Sequence, residues 1–93
     1  MSYELGFRPD ALAEWRALDN SVRALFKKKL AERLEHPRVP AARLARHKDR
    51  YKIKLRTVGY RLVYEVIDTR LLVVVAAVGK RERNAMYKAA AGR

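Results

Sequence analysis

Tyr51-Lys-Ile-Lys-Leu-Arg56 decides the fold, because apolar and cationic residues alternate along this stretch without interruption. A two-residue period is typical of a β-strand that buries one face. Its three apolar side chains would then face a core, and Lys52, Lys54 and Arg56 would share the opposite face. Like charges side by side on a sheet repel one another. The stretch therefore predicts a sheet surface that binds an anion, and phosphate is the first anion to consider.

Two more strands are expected after this one, joined by turns short enough for antiparallel hairpins. The first spans about 60–68, after the turn-forming Thr57-Val-Gly59, and it places Arg61 within cross-strand reach of the lysines. The second spans about 71–78, where the sequence is apolar on both faces, as in a central strand. Gly79 is expected to end it.

The N-terminal half is predicted to form a strand and two helices. Residues 3–7 alternate up to Pro9, which suits the first turn of a helix over 10–18. Asp19-Asn-Ser21 supplies a cap for a second helix, which stops where His36 precedes Pro37. The apolar face of that helix comprises Val22, Leu25, Phe26, Leu30 and Leu34.

The remaining segments complete the expected architecture. Residues 38–50 are predicted to form a loop, and residues 82–91 a weak, alanine-rich helix. The order predicts one α+β domain over residues 1–93. It has an N-terminal strand, a helical hairpin, an antiparallel β-meander and a short C-terminal helix.

Charge limits the choice of partner. The chain has 22 Lys and Arg against 10 Asp and Glu, a formal net charge of +12 on 93 residues. Residues 50–93 carry eleven basic and three acidic side chains, so the excess is concentrated where the sheet is predicted. Such a balance favours nucleic acid, an anionic membrane surface or an acidic protein as partner. No apolar run approaches the roughly 20 residues that span a bilayer and no signal-peptide pattern is visible, so a cytoplasmic protein is expected.

Metal and thiol chemistry have little support in the sequence. There is no cysteine, and the two histidines, His36 and His47, are eleven residues apart without clustered carboxylates. Neither histidine lies on the basic strands where a phosphate would bind. We therefore expect no metal and no cofactor.

The chemistry that remains is electrostatic. Fixed Lys and Arg side chains stabilise the negative charge that develops on a phosphate during displacement. A lysine crowded by other cations has its pKa lowered, so Lys52 or Lys54 is a candidate general base. The alternative is a solvated basic face with no catalytic role, and periodicity alone does not decide between the two.

Further basic residues are candidates for RNA binding. Gly79-Lys-Arg-Glu-Arg83 emerges from the end of a buried strand, and Tyr87 follows four residues later, where its ring would either stack on a base or pack the last helix. Lys27-Lys-Lys29 is a solvated helix surface or a region that steers the protein to a polyanion. The full set of candidate RNA contacts is Lys27, Lys28, Lys29, Arg43, Arg46, Arg56, Lys80 and Arg83.

Taken together, these stretches resemble the RelE toxins of bacterial toxin–antitoxin systems. The resemblance covers almost the whole chain, and its motifs are Ala11-Leu-Ala-Glu-Trp-Arg16, Lys27-Lys-Lys-Leu30, Tyr51-Lys-Ile-Lys-Leu-Arg56, Gly59-Tyr-Arg-Leu-Val-Tyr64, Val66-Ile-Asp68 and Val78-Gly-Lys-Arg-Glu-Arg83. It implies a RelE/ParE-like (microbial-RNase-like) fold and a metal-independent endoribonuclease. Such an enzyme cuts mRNA in the ribosomal A site through attack by the RNA's own 2′-hydroxyl. The implied partners are a cognate RelB-like antitoxin, ribosomal RNA and mRNA, with no membrane.

Carried over by position, the resemblance implies a set of catalytic residues: Lys52, Lys54, Arg61, Arg81 and Tyr87. The lysines and Arg61 would surround the scissile phosphate, Arg81 would support the leaving group, and Tyr87 would orient the nucleotide. Ala45 departs from the family, because an arginine stands at this position in a family member. A phosphate contact there would have to come from Arg43 or Arg46.

Two other functions remain open from the sequence. A ParE-type toxin, which inhibits DNA gyrase through protein contacts, shares the order of strands and helices and does not require a phosphate-binding cluster. A nucleic-acid-binding module without activity would need only the net charge. The joint presence of all five implied catalytic residues favours RNA cleavage.

Overall fold

The computed structural model describes residues 2–80, which form an α+β fold as expected. The elements are β1 (Glu4–Phe7), α1 (Pro9–Arg16), α2 (Asn20–Glu35), β2 (Arg50–Leu55), β3 (Tyr60–Ile67) and β4 (Leu72–Lys80), with short 3-10 turns at Pro40–Ala42 and Asp68–Arg70. Neither described helix is long and apolar enough to cross a membrane. The helix expected over residues 82–91 lies outside the described residues.

The four strands form one sheet in the order β1-β4-β3-β2. β2, β3 and β4 pair antiparallel, which confirms the predicted meander. β1 pairs parallel with β4, from Glu4 opposite Leu72 to Phe7 opposite Val75. β4 therefore has a strand on each side, as its apolar sequence predicted, and β2 lies at an edge of the sheet.

An irregularity in β4 gives this strand apolar residues on both faces. Val63 pairs with Ala77, but the next residue of β3 pairs with Val75, so Ala76 is an extra residue on β4. Such a bulge reverses the alternation of side chains along a strand. The valines before and after it face the main core, whereas Ala76 and Ala77 pack with Val63 and Leu44 on the other face.

Both helices pack against one face of the sheet and enclose the core. Trp15 of α1 and Phe26 of α2 lie with ring centroids 6.2 Å apart, and Ile53 and Tyr64 complete the layer from the sheet. Leu25 was expected on the buried face of α2, but it is 44% exposed. The buried residues of α2 recur every four positions from Val22. Leu25 directly precedes Phe26, and consecutive residues of a helix are rotated about 100° from each other, so Leu25 lies outside this stripe.

Several predicted boundaries need correction. Gly79 does not end β4, because it pairs with Arg61 and the strand continues to Lys80. Leu71 is not in the strand; it adopts a left-handed conformation (φ 48°) that closes the turn after β3. Asp19 occupies the N-cap position of α2 but makes no capping hydrogen bond with its side chain. The loop over 38–50 contains a 3-10 turn and a bridge between Arg43 and Tyr51.

A cluster of polar side chains holds the end of the sheet near the turn between β3 and β4. Arg38 Nη2 contacts Asp68 at 2.6 Å and Asp49 at 2.9 Å, and the Tyr3 hydroxyl donates to Asp68 at 2.5 Å. The hydrogen bond from Tyr3, followed by the contacts with Arg38, lowers the pKa of Asp68. Because this carboxyl ionises more readily in the folded state, the cluster stabilises the fold above the ordinary carboxyl pKa. That stabilisation is lost as pH falls through the native pKa.

The substitution Asp68→Asn should therefore weaken the acid sensitivity of the fold. We expect the free energy of unfolding of the wild type to fall below about pH 4. The free energy of unfolding of Asp68→Asn should fall less over the same pH interval, because an amide does not titrate. Urea unfolding at a series of pH values measures both slopes, with Glu35→Gln, an exposed carboxylate at the end of α2, as the control. Equal slopes for the wild type and Asp68→Asn would show that Asp68 does not link folding to pH.

Candidate phosphate-binding face

Lys52, Lys54 and Arg61, here called the cationic row, lie together on the face of the sheet opposite the helices. β2 alternates as predicted, with Tyr51, Ile53 and Leu55 buried in the main core and the two lysines half-buried on the other side. Lys54 pairs directly with Arg61 across β2 and β3, which confirms the expected cross-strand contact. The pairing brings three cations onto adjacent positions of two strands.

Small neighbours leave the surface beside the cationic row open. Lys52 lies opposite Val63, and Arg61 lies opposite Gly79 of β4. A Cβ built at Gly79 would meet no atom of residues 2–80 within 4 Å, so the described residues leave space beside Arg61. The concavity beside Lys54 and Arg61 has a volume of about 200 Å³. It is smaller than the roughly 300–1,000 Å³ that encloses a small-molecule ligand, so it suits one group of a larger molecule.

The cationic row changes the proton affinity of its central lysine. The pKa of Lys54 is lowered, chiefly by the positive charge of Lys52, then by partial burial and by the charge of Arg61. Nearby cations disfavour the ammonium form, so a larger fraction of Lys54 is neutral near neutral pH than for an isolated lysine. A neutral amine accepts a proton. Lys54 therefore has the property that a general base needs.

On the same face, a carboxylate that pairs with cations lies at the other end of β2. Glu65, which pairs with Arg50, lies 3.2 Å from the Arg8 guanidinium and 3.5 Å from that of Arg50. By contrast, the cross-strand partner of Lys54 is another cation. Among the described residues, the ion pairs of Glu65 are therefore at one end of β2, and the like charges of Lys54 and Arg61 face each other at the other end.

Other predicted RNA-binding residues are distributed over a wider surface. Lys27, Lys28 and Lys29 are all exposed on α2. Lys29 joins Lys54 and Arg56 around a second concavity of about 420 Å³, which also contains the exposed apolar side chains of Leu25 and Val58. The structure thus connects one lysine of the α2 run to the cationic row.

The remaining candidates differ in their relation to this site. Arg43 and Arg46 are exposed on the loop before β2, and Arg43 bridges to Tyr51 near the start of the strand, whereas Lys54 lies near its end. Lys80 is exposed at the end of β4, opposite Tyr60. Arg81, Arg83 and Tyr87 lie outside the described residues, so their predicted roles remain predictions.

Sequence reasoning missed one residue that contacts the site. Arg33 of α2 donates from Nη1 to the main-chain oxygen of Lys52 at 3.2 Å and to the Tyr64 hydroxyl at 2.8 Å. The helical pattern placed Arg33 on α2, but the pattern carries no information on which strand the helix crosses. The sequence signal was limited to its spacing, three residues after Leu30, which places Arg33 beside the apolar stripe of α2.

Comparison with known proteins gives consistent results. The model of the family described as "ParE toxin of type II toxin-antitoxin system, parDE" matches residues 5–85. The mRNA interferase toxin RelE of Escherichia coli strain K12 is 54% identical over 93 residues, covering 100% of this chain and 98% of that protein. Both similarities extend over the cationic row.

Solved structures show the same similarity in three dimensions. A double arginine-to-alanine mutant of E. coli RelE in the free state matches with a TM-score of 0.92 at 52% identity, covering 100% of this chain and 98% of that one. The toxin in the intact E. coli RelBE toxin–antitoxin complex matches with a TM-score of 0.84 at 55% identity, covering 88% of this chain and 100% of that one.

The charge coupling within the cationic row can be measured directly. We expect Lys52→Gln to raise the pKa of Lys54 toward that of an isolated lysine, and Arg61→Gln to raise it by a smaller amount, because removing a cation favours the ammonium form. NMR titration of the lysine ε-methylene signals measures this. Arg70→Gln, which removes an exposed cation from the opposite end of β3, is the control. An unchanged Lys54 titration in Lys52→Gln would contradict the coupling.

Proposed function

The chain belongs to the RelE family of toxins of type II toxin–antitoxin systems, and from this premise we propose that its cationic row cleaves mRNA in the ribosomal A site. The protein is an mRNA interferase, an endoribonuclease. The observation that carries the catalytic assignment is the pairing of Lys54 with Arg61 beside Lys52, since it concentrates positive charge where a scissile phosphate would bind.

The proposed reaction is an intramolecular transfer on the RNA. The 2′-oxygen attacks the adjacent phosphorus, the bond from phosphorus to the 5′-oxygen breaks, and the products carry a 2′,3′-cyclic phosphate and a 5′-hydroxyl. Lys54 accepts the proton of the 2′-hydroxyl, and Lys52 and Arg61 stabilise the additional charge on the phosphate oxygens. Lowering of the Lys54 pKa by its neighbours supports its role as the base.

Two further roles rest on the family resemblance alone. Arg81 supports the departing 5′-oxygen, and Tyr87 orients the nucleotide. In the sequence, Arg81 is the residue after the last residue of β4, and Tyr87 comes six residues after Arg81. The outer cations, Lys29 and Arg56 among them, bind the surrounding RNA through phosphate contacts.

Dependence on the ribosome follows from the composition of the site. The described part of the site consists of cations on a sheet surface, and such a site binds phosphate without fixing the geometry of attack. Holding the reacting atoms in line contributes much of the barrier reduction in such reactions. We infer that the ribosome supplies this geometry by holding the mRNA.

We also infer that the toxin acts in the bacterial cytoplasm as a single domain over residues 1–93.

An antitoxin is the expected regulator. The E. coli relative has been solved in complex with its antitoxin, and the match covers 88% of this chain and 100% of that toxin chain. We propose that a cognate RelB-like antitoxin binds this chain and covers its positive surface, for which an acidic partner is electrostatically favoured.

Inhibition of gyrase is the second candidate, because the matching family model is described as a ParE toxin. That function acts through protein contacts and gives no reason for three adjacent cations around an open space. The identity to an mRNA interferase over the whole chain favours RNA cleavage. A DNA supercoiling assay with purified gyrase separates the two functions, and we expect no inhibition.

Removing any one member of the cationic row should reduce cleavage without unfolding the protein. We expect Lys52→Ala, Lys54→Ala and Arg61→Ala each to lower the cleavage rate of ribosome-bound mRNA by at least about 100-fold, as for loss of one group that stabilises a transition state. Stability should be unchanged or slightly higher, because repulsion is relieved. Primer extension on programmed ribosomes measures the rate. Arg70→Ala, with the same change in charge, should cleave normally, and wild-type rates in Lys54→Ala/Arg61→Ala would refute the assignment.

The pH dependence and the products test the role of Lys54. Only neutral Lys54 accepts a proton, so the rate should rise with pH above neutrality and level off near the lowered pKa of Lys54. Arg61→Gln raises that pKa, so it should move the rise to higher pH as well as slow the reaction. Cleavage should continue in EDTA wherever the ribosome stays intact. A downstream fragment with a 5′-phosphate would indicate hydrolysis by water and exclude this mechanism.

A further inference from the structure

The outer edge of β2 is held by groups other than a strand. Alternate main-chain oxygens of an edge strand point away from the sheet. The oxygen of Arg50 accepts a hydrogen bond from the Leu44 N–H at 2.9 Å, and that of Lys52, two residues later, accepts one from Arg33 Nη1 at 3.2 Å. The Arg33 side chain thus supplies the hydrogen bond that a neighbouring strand would make to Lys52, one of the lysines proposed to be catalytic.

Arg33 is itself fixed to the core. The same Nη1 donates to the Tyr64 hydroxyl at 2.8 Å, and the guanidinium carbon lies 5.7 Å from the centroid of the Tyr64 ring. Tyr64 is completely buried, its hydroxyl donates to the Pro37 oxygen at 2.6 Å, and its ring stacks on Tyr51 at 5.6 Å. The main chain at Lys52 is therefore tied through Arg33 to one of the most buried side chains of the protein.

We propose that Arg33 is a positioning residue for the ribonuclease reaction, acting through Lys52. Two hydrogen bonds hold its guanidinium against the Lys52 main chain and the Tyr64 hydroxyl. Arg33 would thereby fix the position of the Lys52 main chain, and with it the position of the Lys52 side chain. Among residues 2–80, the strand that pairs along β2 is β3, on one side, so side-chain and loop contacts restrain its other edge. Displacements of a catalytic group by about 1 Å lower rates strongly, so the restraint contributes to catalysis. The assignment rests on the ribonuclease function proposed above.

Arg23 provides a matched control on the same helix. Its guanidinium also donates to main-chain oxygens, those of Trp15, Arg16 and Leu18, but at the turn between the two helices. Arg33→Met and Arg23→Met therefore remove the same charge and the same kind of contact. They differ in whether that contact reaches β2.

The experiment compares single-turnover cleavage on programmed ribosomes, normalised to folded toxin. We expect Arg33→Met to lower the rate at saturating ribosome concentration by about tenfold, with the half-saturating concentration changed by less than about twofold. Arg23→Met should keep the wild-type rate. Amide hydrogen exchange should accelerate along β2 in Arg33→Met while the amides of the central strand β4 keep their wild-type rates, because a general loss of stability would accelerate exchange in both strands.

The outcomes separate this inference from the proposed function. Equal rates for Arg33→Met and Arg23→Met, or a loss confined to the half-saturating concentration, would overturn the positioning role while leaving the function intact. Absence of cleavage by the wild type would overturn both. If Arg33→Met does not fold, Arg33→Lys decides, because it keeps the charge but its side chain ends one atom short of Nη1 and loses the guanidinium that lies over the Tyr64 ring. A rate between those of the wild type and Lys52→Ala supports the role, and the wild-type rate overturns it.

Discussion

Electrostatic repulsion within the cationic row is the constraint to which the rest of the structure responds. Lys54 faces Arg61 across two strands and has Lys52 beside it, so folding brings together charges that separate in the unfolded chain. Burial of apolar side chains on the other face of the same strand opposes this repulsion. These side chains are Tyr51, Ile53 and Leu55. Burial of such side chains contributes roughly 1.5–3 kcal/mol each, which is enough to hold an exposed row of cations in place. The alternation of a single strand thus supplies both the site and the stability that the site requires.

The two ends of the antiparallel pair β2 and β3 differ in their charge partners. Glu65 forms ion pairs with Arg8 and Arg50 at one end. At the other end, the side chains of Lys54 and Arg61 face each other across β2 and β3, and a Cβ at Gly79 would meet no atom of residues 2–80 within 4 Å. A phosphate bound there, as proposed above, would relieve the repulsion within the cationic row.

The sequence predicted what depends on local periodicity and missed what depends on long-range contacts. Alternation identified β2 and its two faces, and turn residues identified the meander. The bulge at Ala76 could not be predicted, because small apolar residues fit either face of a strand. Nor could the docking of β1, since a four-residue strand carries no sign of its neighbour. Arg33 escaped for the same reason, because its contact with β2 joins residues 19 positions apart through the packing of a helix. Local patterns therefore predicted the cationic row, whereas the contact between Arg33 and the Lys52 main chain became visible in the tertiary structure.

The match to a ParE family model and the identity to an mRNA interferase illustrate how one fold serves two functions. A fold of this kind fixes where strands and helices lie, but function resides in the side chains placed on it. Here α1 and α2 pack on one face of the sheet and the cationic row lies on the other, so side chains at the row can change without disturbing the main core. A gyrase inhibitor would have no need for adjacent cations that repel one another, and like charges directly opposite on a sheet are destabilising. A phosphate ligand, as proposed above, gives a physical reason for placing these cations side by side, so the cationic row rather than the fold is the feature on which the proposed RNA cleavage depends.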